Sequence, residues 1–384
     1  MKVAICGDVH FGAIFGLGKP NSSGGNTRLD DYENTFNYIV DKCVELGVDA
    51  FVQTGDLFEK RNPSPIEIGI ADRCIRRLSS ANIATFIIMG NHDYKRHAGT
   101  YTSSLSSLPA KHYPSIRILT SPETVFVSNK VGERINLALM PFRDKRMYSV
   151  KGTKECSEAY EEEVWNMLEE SNKKFPTIFV GHNFFYEGSY NQYGGSEVLI
   201  KPDAFRNYNA AFMGHLHGSR KVNKNCYYTG SMERNNFGEA GETKYFFIYD
   251  TVTDSVSKHE IPTRDLKNIE FSTKAESAVD AEKEIFEKIE SFELSDKIVK
   301  AKFFIKESVI SMVSKNKIES KLYERGCYFL SRLILESTQE EVVRDLSPLK
   351  SEGDFELFKK FLESQNLTDS KKESLIKKAS EIMG

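Results

Sequence analysis

The sequence predicts an α/β (α+β) protein in which two β-sheets pack face to face with helices outside. Three observations lead to this fold class. Strand, loop and helix alternate three times near the start of the chain, and strands then dominate to about residue 260. Beyond that point the pattern changes to a short mixed module and a charged, amphipathic end. We therefore expect a small α+β domain and a helical C-terminal tail after the sandwich.

The first ninety or so residues supply the alternating pattern. Short apolar runs end there at glycine, which is typical of buried strands that lead into a loop. Helical spacing of apolar residues, and Pro65 at a helix start, indicate the intervening helices. The predicted elements are strands at 2–6, 50–54 and 84–89 and helices at about 31–46 and 65–80.

The middle of the chain predicts a second sheet. Its one helix is expected at about 157–172. The strands are expected at 116–119, 124–128, 134–140, 177–180, 210–213, 226–229, 244–250 and 253–260. This sheet would pack on the first one and complete the sandwich.

Near Pro262 the pattern changes, and we expect three domains at 1–262, 265–338 and 340–384. The second would alternate strands at 268 onward, 298–305 and 327–335 with helices at 279–291 and about 314–324. The third carries two apolar helical faces, Phe355, Phe358, Phe361 and Leu362, and then Leu375, Ile376, Ala379, Ile382 and Met383. These faces either fold back onto their own domain or dock on a partner's helices.

Composition excludes several classes of protein. A hydrophobic content of 40% and a charged content of 28% are ordinary for a globular protein, and the net charge of −3 excludes a globally basic nucleic-acid binder. The six cysteines lack C-x-x-C pairing, which argues against a disulfide scaffold and fits a reducing compartment. The apolar run at residues 3–6 is too short for a signal peptide, and no run approaches membrane-spanning length. We expect a cytoplasmic protein with no membrane association.

Five segments place Asp, Asn or His at turns that follow apolar runs. They are Gly7-Asp8-Val9-His10, Gly55-Asp56, Gly90-Asn91-His92-Asp93, Gly181-His182 and Gly214-His215-Leu216-His217, and they contain five of the eight histidines. Functional side chains of open α/β sheets lie on loops at the strand ends, so these should meet. Carboxylate and imidazole donors suit manganese, iron or zinc. Two such metals, roughly 3.5–4 Å apart, are a known device for cleaving phosphate esters.

Each segment alone has a simpler interpretation. A Gly-Asp pair is usually a turn, Gly-Asn-His-Asp is more often a loop than a site, and a lone His-x-His is weak evidence for a metal. Their joint occurrence after predicted strands favours a two-metal site instead. Its predicted ligands are Asp8, His10, Asp56, Asn91, His182, His215 and His217.

The order of these motifs resembles that of the calcineurin-like metallophosphoesterases, whose fold is a two-sheet sandwich flanked by helices. Within that family, the start Gly7-Asp8-Val9-His10-Phe11-Gly12 and the later Gly55-Asp56-Leu57-Phe58 are similar to the SbcD nucleases. These are bacterial, archaeal and phage relatives of the eukaryotic meiotic-recombination repair nuclease. The motifs cover about residues 1–260. Residues 265–338 resemble that family's capping domain, which would bind DNA, and 340–384 resemble its segment that docks on a coiled-coil ATPase.

The resemblance implies a role for each matching residue. One metal would be held by Asp8, His10 and His217, the other by Asn91, His182 and His215, and Asp56 would bridge both. His92 would touch the phosphate and help protonate the leaving oxygen, and Asp93 would orient His92. A water between the metals would be the nucleophile. Two Mn²⁺ ions are the expected cofactor, with Mg²⁺, Fe²⁺ or Zn²⁺ as alternatives.

Two features depart from the family pattern. Many members carry His or Asp after Gly-Asp-x-Phe, whereas this chain has Glu59. The segment Gly16–Asn26 is longer than expected and predicts a flexible loop beside the site, with substrate contact as the alternative.

Basic residues near the predicted site suggest DNA as the substrate. Candidate phosphate contacts are Lys60, Arg61, Lys95, Arg96 and Arg220, with a second basic run at Arg143-Asp144-Lys145-Arg146. Each cluster taken alone is better explained as solvated surface charge.

The leading hypothesis is the nuclease subunit of a DNA double-strand-break processing complex, acting as an exonuclease on duplex ends and an endonuclease on single strands or hairpins. Its partners would be DNA and an SbcC-type coiled-coil ABC ATPase. A homodimer is expected through helices near 65–80 and 97–108, where relatives dimerise. The location would be the nucleoid of a prokaryotic or phage-infected cell. The alternatives are a phosphatase or cyclic-nucleotide phosphodiesterase on the same metal core, and a scaffold that binds DNA ends without cutting.

Overall fold

The computed structural model describes residues 1–22, 24–97, 100–150, 152–186, 198–338, 358–359, 362 and 369–383. They belong to two compact units, 1–336 and 337–384. Among the described residues, no helix is long and apolar enough to cross a membrane. The helices are α1 Thr27–Glu45, α2 Pro65–Ser80, α3 Thr153–Glu170, α4 Ala278–Glu290, α5 Glu307–Ile310, α6 Lys315–Glu324 and α7 Asp369–Met383.

Three sheets and two short strand pairs make up the described β-structure. The first ten strands are β1 Lys2–Cys6, β2 Ala50–Gln53, β3 Ala84–Ile88, β4 Tyr94–His97, β5 Thr100–Ser103, β6 Ile116–Leu119, β7 Glu123–Ser128, β8 Arg134–Met140, β9 Thr177–Gly181 and β10 Phe184–Phe185. The others are β11 Leu199–Ile200, β12 Ala210–Met213, β13 Arg220–Lys221, β14 Cys226–Tyr228, β15 Lys244–Asp250, β16 Ser255–Ile261, β17 Leu266–Ser272, β18 Ile298–Ile305 and β19 Phe329–Ser337.

Two six-stranded sheets form the sandwich that the sequence predicts. The strands expected at 116–119, 244–250 and 253–260 belong to the first sheet, however, so their predicted place in the second sheet is wrong. The first has the order β16-β15-β1-β2-β3-β6, and β1, β2, β3 and β6 run parallel. The second has the order β13-β14-β12-β9-β8-β7, and β14, β12, β9 and β8 run parallel. Parallel strands bring their carboxyl ends to one edge, which is where the predicted site residues follow them.

The apolar pattern of the strands explains why both sheets are covered on two sides. On β1, Val3 and Ile5 pack between the sheets, whereas Ala4 and Cys6 belong to an outer core with α1 and α2. The second sheet has a corresponding outer core under α3. Because successive side chains of a strand point to opposite faces, two covered faces require an unbroken apolar run. The predicted sandwich with outer helices is confirmed.

Helix starts follow local capping. Asn26 accepts a hydrogen bond from the Arg28 amide at 2.8 Å, so α1 begins four residues before the predicted start. At α2, the Ser64 and Glu67 side chains each accept from the other residue's amide, and Pro65 follows the cap.

The prediction of a helix near 97–108 is wrong. Residues 100–103 form the strand β5, paired with β4, and 104–107 form a 3₁₀ turn.

A third sheet, β17-β18-β19, follows the sandwich and carries its own core under α4 and α6. The compact unit 1–336 contains it together with the sandwich. Arg264 fastens the connection, since its guanidinium pairs with Asp31 of α1 at 2.8 Å and with Asp296. The division of the chain at 262, 265 and 338 stays a prediction.

The segment Gly16–Asn26, of which all but residue 23 is described, is anchored at one buried residue and is otherwise exposed or half-buried. Leu17 is 1% exposed and packs with Leu266 and Ile298 of the third sheet. The backbone folds back on itself, because the Thr27 amide donates to the Lys19 carbonyl at 2.9 Å. Leu17 thus anchors the start of the segment on the third sheet, whereas the flexibility of the rest stays a prediction.

In the C-terminal unit, α7 is amphipathic, and Leu375 and Ile376 are less exposed than Lys377 and Lys378. Of the first predicted apolar face, Phe358 and Leu362 are helical, whereas Phe355 and Phe361 lie outside the described residues.

Candidate metal centre

All seven predicted metal ligands converge where the two sheets meet. Asp8 and His10 follow β1, Asp56 follows β2, and Asn91 follows β3. His182 and His215 follow β9 and β12 of the second sheet, and His217 lies two residues further on. Contacts across the sheets fix this meeting. The His215 amide donates to Asp8 at 2.9 Å, and His182 Nδ1 lies 2.7 Å from the Thr54 carbonyl oxygen.

Two glycines of the motifs are needed for this close approach. A Cβ on Gly90 would overlap the carboxylate and amide of Asp56. A Cβ on Gly214 would lie 2.6 Å from an oxygen of Asp8. Real Cβ contacts are not this short, so any side chain at either position would displace a predicted ligand. Gly90 and Gly214 are therefore part of the site.

Three of the converging residues have a left-handed backbone. The φ angles of His10, Asp56 and His215 are 54°, 55° and 83°. Non-glycine residues adopt this region at a cost, and they keep it where the surrounding contacts fix them. Such strain is characteristic of binding sites that are built before the ligand arrives.

The donors form two groups that share Asp56. The first donor group is Asp8, His10 and His217, in which the two Nε2 atoms are 3.1 Å apart. The second donor group is Asn91, His182 and His215, in which both rings approach Asn91 Oδ1, at 2.8 and 2.7 Å. Asp56 Oδ2 lies 3.3 Å from His182 Nε2 and 3.8 Å from His10 Nε2. It faces both groups, as a bridging ligand would.

The outer ring nitrogens show that these donors fit cations. A carbonyl or carboxylate oxygen can only accept, so the nitrogen that faces it carries the proton. His182 Nδ1 faces the Thr54 carbonyl, and His217 Nδ1 hydrogen-bonds Glu239 at 2.9 Å. His10 Nδ1 lies 2.9 Å from the Glu59 carboxylate. The neutral rings of His182 and His217 therefore turn a lone pair inward, toward other lone pairs, and a cation resolves that repulsion.

The charges of the site shift its pKa values strongly. Burial disfavours the charged forms of His10 and His182, yet the neighbouring carboxylates outweigh it and raise both pKa values to about 9. Burial and the repulsion from His182 lower the pKa of His215 to about 3. Burial alone would raise the pKa of Asp56, but His182 and His10 hold it below its usual range. The carboxylates thus attract positive charge into the pocket, either as protons or as metal ions.

His92 lies at the edge of this pocket. Its amide donates to Asp56 Oδ1 at 2.8 Å, and its ring stands edge-on to that of His10, with the centroids 4.9 Å apart. Its Nδ1 lies 2.7 Å from the carbonyl oxygen of Glu59, so this nitrogen carries a proton. Nε2 is then the nitrogen available to a substrate.

Asp93 does not orient His92 in the way that the resemblance implies. It is fully buried, and its oxygens accept from the amides of Leu57, Phe58 and Gly90 at 3.0–3.1 Å. Burial and the charge of Asp56 raise its pKa to about 6. Asp93 fixes the loop that carries Asp56, whereas the Glu59 carbonyl orients His92.

The five predicted substrate-binding cations are all exposed. Lys60 lies over the ring of Phe15 at 5.1 Å, Arg220 lies over Tyr228 at 5.0 Å, and Lys95 and Arg96 lie on β4. In the other basic run, Arg143 pairs with Glu163, and Arg146 pairs with Asp144. Local ion pairs thus account for the two arginines of that run, and the substrate roles of the five cations stay predictions.

Two acidic residues contact the predicted ligands: Glu59, which the sequence marked as a departure from the family pattern without a role, and Glu239, which the sequence did not reveal. Glu59 contacts His10 with its side chain and His92 with its carbonyl oxygen. Glu239 contacts His217 and Lys244, and these charges hold its pKa at about 2 although burial opposes this. Glu59 directly follows a motif, which is why the sequence draws attention to it, whereas Glu239 lies 22 residues beyond His217 without any motif.

The chain is similar in sequence to proteins of known name. A "DNA double-strand break repair protein Mre11" from Methanosarcina mazei is 25% identical over 83% of this chain and 48% of that protein. The SbcD component of the SbcCD nuclease from Staphylococcus saprophyticus is 22% identical over 70% of this chain and 71% of that protein. The chain thus spans about half the length of the first relative and more of the second.

A solved structure and a family model complete the comparison. A dimetal phosphatase from Danio rerio is 11% identical, with a TM-score of 0.42, over 69% of this chain and 97% of that one. A likeness of that size adds nothing to the assignment. The model of the calcineurin-like phosphoesterases matches residues 1–219, which is more than half of the chain and includes all seven predicted ligands. The chain belongs to the calcineurin-like phosphoesterase family.

Proposed function

We propose that the chain is a metal-dependent nuclease that hydrolyses DNA phosphodiester bonds with two divalent cations, Mn²⁺ in the first place. It would act as an exonuclease on duplex ends and as an endonuclease on single strands or hairpins. The observation that carries the two-cation part is the pair of inward lone pairs on His182 and His217, one in each donor group. Family membership supports phosphoester cleavage, and the relatives' names support DNA as the substrate.

Each residue of the site has a separate role in this proposal. Asp8, His10 and His217 would hold one cation, Asn91, His182 and His215 the other, and Asp56 both. Cations in these positions would acidify a water and offset the charge of the phosphate. His92, held at Nδ1 by the Glu59 carbonyl, would bind the phosphate through Nε2 and protonate the leaving oxygen. Asp93 would keep the Asp56 loop in place.

Partners follow from the same proposal. The name of the Staphylococcus relative makes it one component of a complex, which supports a coiled-coil ABC ATPase as the partner of this chain. The apolar face of α7 would dock on that ATPase. The third sheet, as a capping domain, would bind DNA, and the chain would act as a homodimer.

The test compares the wild type with His92→Ala on end-labelled duplex DNA with Mn²⁺. We expect the variant to bind both cations but to cleave about 10²–10⁴-fold more slowly, because a positioned proton donor contributes that much. Asp56→Asn should lose both binding and cleavage. An unchanged rate in His92→Ala would refute the catalytic assignment.

The same assay decides between the substrates. Bis-p-nitrophenyl phosphate reports the metal chemistry without a nucleic acid. Turnover of this small diester with no cleavage of linear duplex DNA would overturn the nuclease proposal in favour of a small-molecule phosphodiesterase. Addition of the ATPase encoded by a neighbouring gene tests the expected partner.

A further inference from the structure

The two donor groups differ in what lies behind their histidines. In the first donor group, both imidazoles have a carboxylate at the outer nitrogen, Glu59 behind His10 and Glu239 behind His217, each at 2.9 Å. In the second donor group, His182 has a neutral acceptor there, the Thr54 carbonyl. The ligand opposite His182 and His215, Asn91, is neutral as well.

The position of Glu59 is fixed by its own backbone. Its amide donates to the Phe11 carbonyl at 3.1 Å, so the segment that carries it runs beside the segment that carries His10. Its side chain is 21% exposed, and His10 Nδ1 approaches it without the alignment of a hydrogen bond. Glu59 therefore acts on His10 chiefly through its charge.

Glu239 is held more tightly. It is 5% exposed, and one oxygen accepts from His217 Nδ1 and from Asn236. The other accepts from the buried amine of Lys244 at 2.6 Å. Lys244 also pairs with Glu242 at 2.7 Å, so the three charged groups together remain negative. Glu239 thus fixes the His217 ring and adds negative charge behind it.

We propose that Glu59 and Glu239 are positioning residues that make the first donor group the tighter of two unequal cation sites. A carboxylate behind a ligand imidazole fixes the ring and makes the inner nitrogen more basic, and the loss of such a partner costs 10–100-fold in metal affinity. The first donor group also contains Asp8 in addition to the shared Asp56, and Asp8 Oδ1 lies 3.8 Å from His182 Nδ1 as well, so the carboxylates that distinguish the two groups are Glu59 and Glu239. This inference rests on the proposed two-cation function.

The test is a Mn²⁺ titration of the full chain, followed by the EPR signal of free Mn²⁺. We expect the wild type to bind a tight and then a weaker ion. Glu59→Gln and Glu239→Gln should each weaken the tight step about 10–100-fold and leave the weak step within about threefold. Glu242→Gln is the matched control, since it removes one charge from the same lysine but keeps the hydrogen bond between Glu239 and His217, and it should weaken the tight step less than Glu239→Gln does.

Other results overturn the inference. Equal affinities in the wild type, or variants that weaken both steps or only the weaker one, contradict it while leaving the two-cation proposal intact. No bound Mn²⁺ in the wild type overturns both. The circular dichroism of each variant checks folding, and because the two glutamates lie on separate segments, failure of one variant to fold leaves the other as a full test.

Discussion

Lowering the pH from 8 to 7 should weaken the binding of a pair of Mn²⁺ ions by about 100-fold. The pKa values of His10 and His182 are raised to about 9, so without cations each ring holds a proton across this range. A metal ion must displace that proton to reach the ring nitrogen. Each proton contributes a factor of ten per pH unit, and two protons correspond to about 2.7 kcal/mol.

Two measurements test this pH dependence of Mn²⁺ binding. The EPR signal of free Mn²⁺ gives the overall binding constant at several values between about pH 6.5 and 8.5, and calorimetry in buffers of different ionisation enthalpy counts the released protons. We expect about two protons for the two ions near pH 7, and none from His215, since its pKa is about 3. A binding constant that does not change with pH, or binding without proton release, would refute this reasoning.

Three further predictions test the site and its supports. In EDTA, the raised pKa values of His10 and His182 stabilise the fold fully below about pH 6.5, and this contribution is lost as the pH rises toward 9. The melting temperature should therefore fall over that range. A rise would contradict the assigned shifts. Gly90→Ala should reduce Mn²⁺ binding in the same EPR titration because its Cβ would displace Asp56, whereas Gly241→Ala, which meets nothing within 4 Å, should not; equal binding by both would count against the packing argument. Leu17→Ala should lower the free energy of unfolding in urea by about 2–5 kcal/mol, because Leu17 packs on the third sheet. The control Val131→Ala should lower it by less than about 0.5 kcal/mol, because Val131 is 81% exposed. Similar losses in both variants would mean that Leu17 does not hold the third sheet.

The regular elements could be predicted where periodicity and capping coincide. The helix expected at about 65–80 is observed at Pro65–Ser80, because an apolar stripe, a proline and a capping box all lie in the local sequence. The hairpin of β4 and β5 could not be found in this way. Its strands are short, and Tyr94 stacks on Tyr101 across the pair at 5.4 Å, a contact that no pattern along the chain reveals.

The candidate site divides in a similar manner. Its seven donors could be predicted to converge because each follows a strand whose end lies at one edge of the sandwich. The residues that contact the outer side of these donors could not be predicted. His92 is oriented by a main-chain carbonyl, which any residue at position 59 would supply. Glu239 contacts His217 only because a separate turn folds beside it. The oxygens of Asp93 are taken up by three amides, which its place next to His92 does not suggest.

Anomalous diffraction at the manganese edge, from crystals of the wild type grown with Mn²⁺, tests the central claim most directly. We predict two peaks, roughly 3.5–4 Å apart, one beside Asp8, His10 and His217 and the other beside Asn91, His182 and His215, with Asp56 between them. An absence of peaks at these side chains in crystals soaked to saturation, or a single peak that Asp56 does not touch, would contradict it.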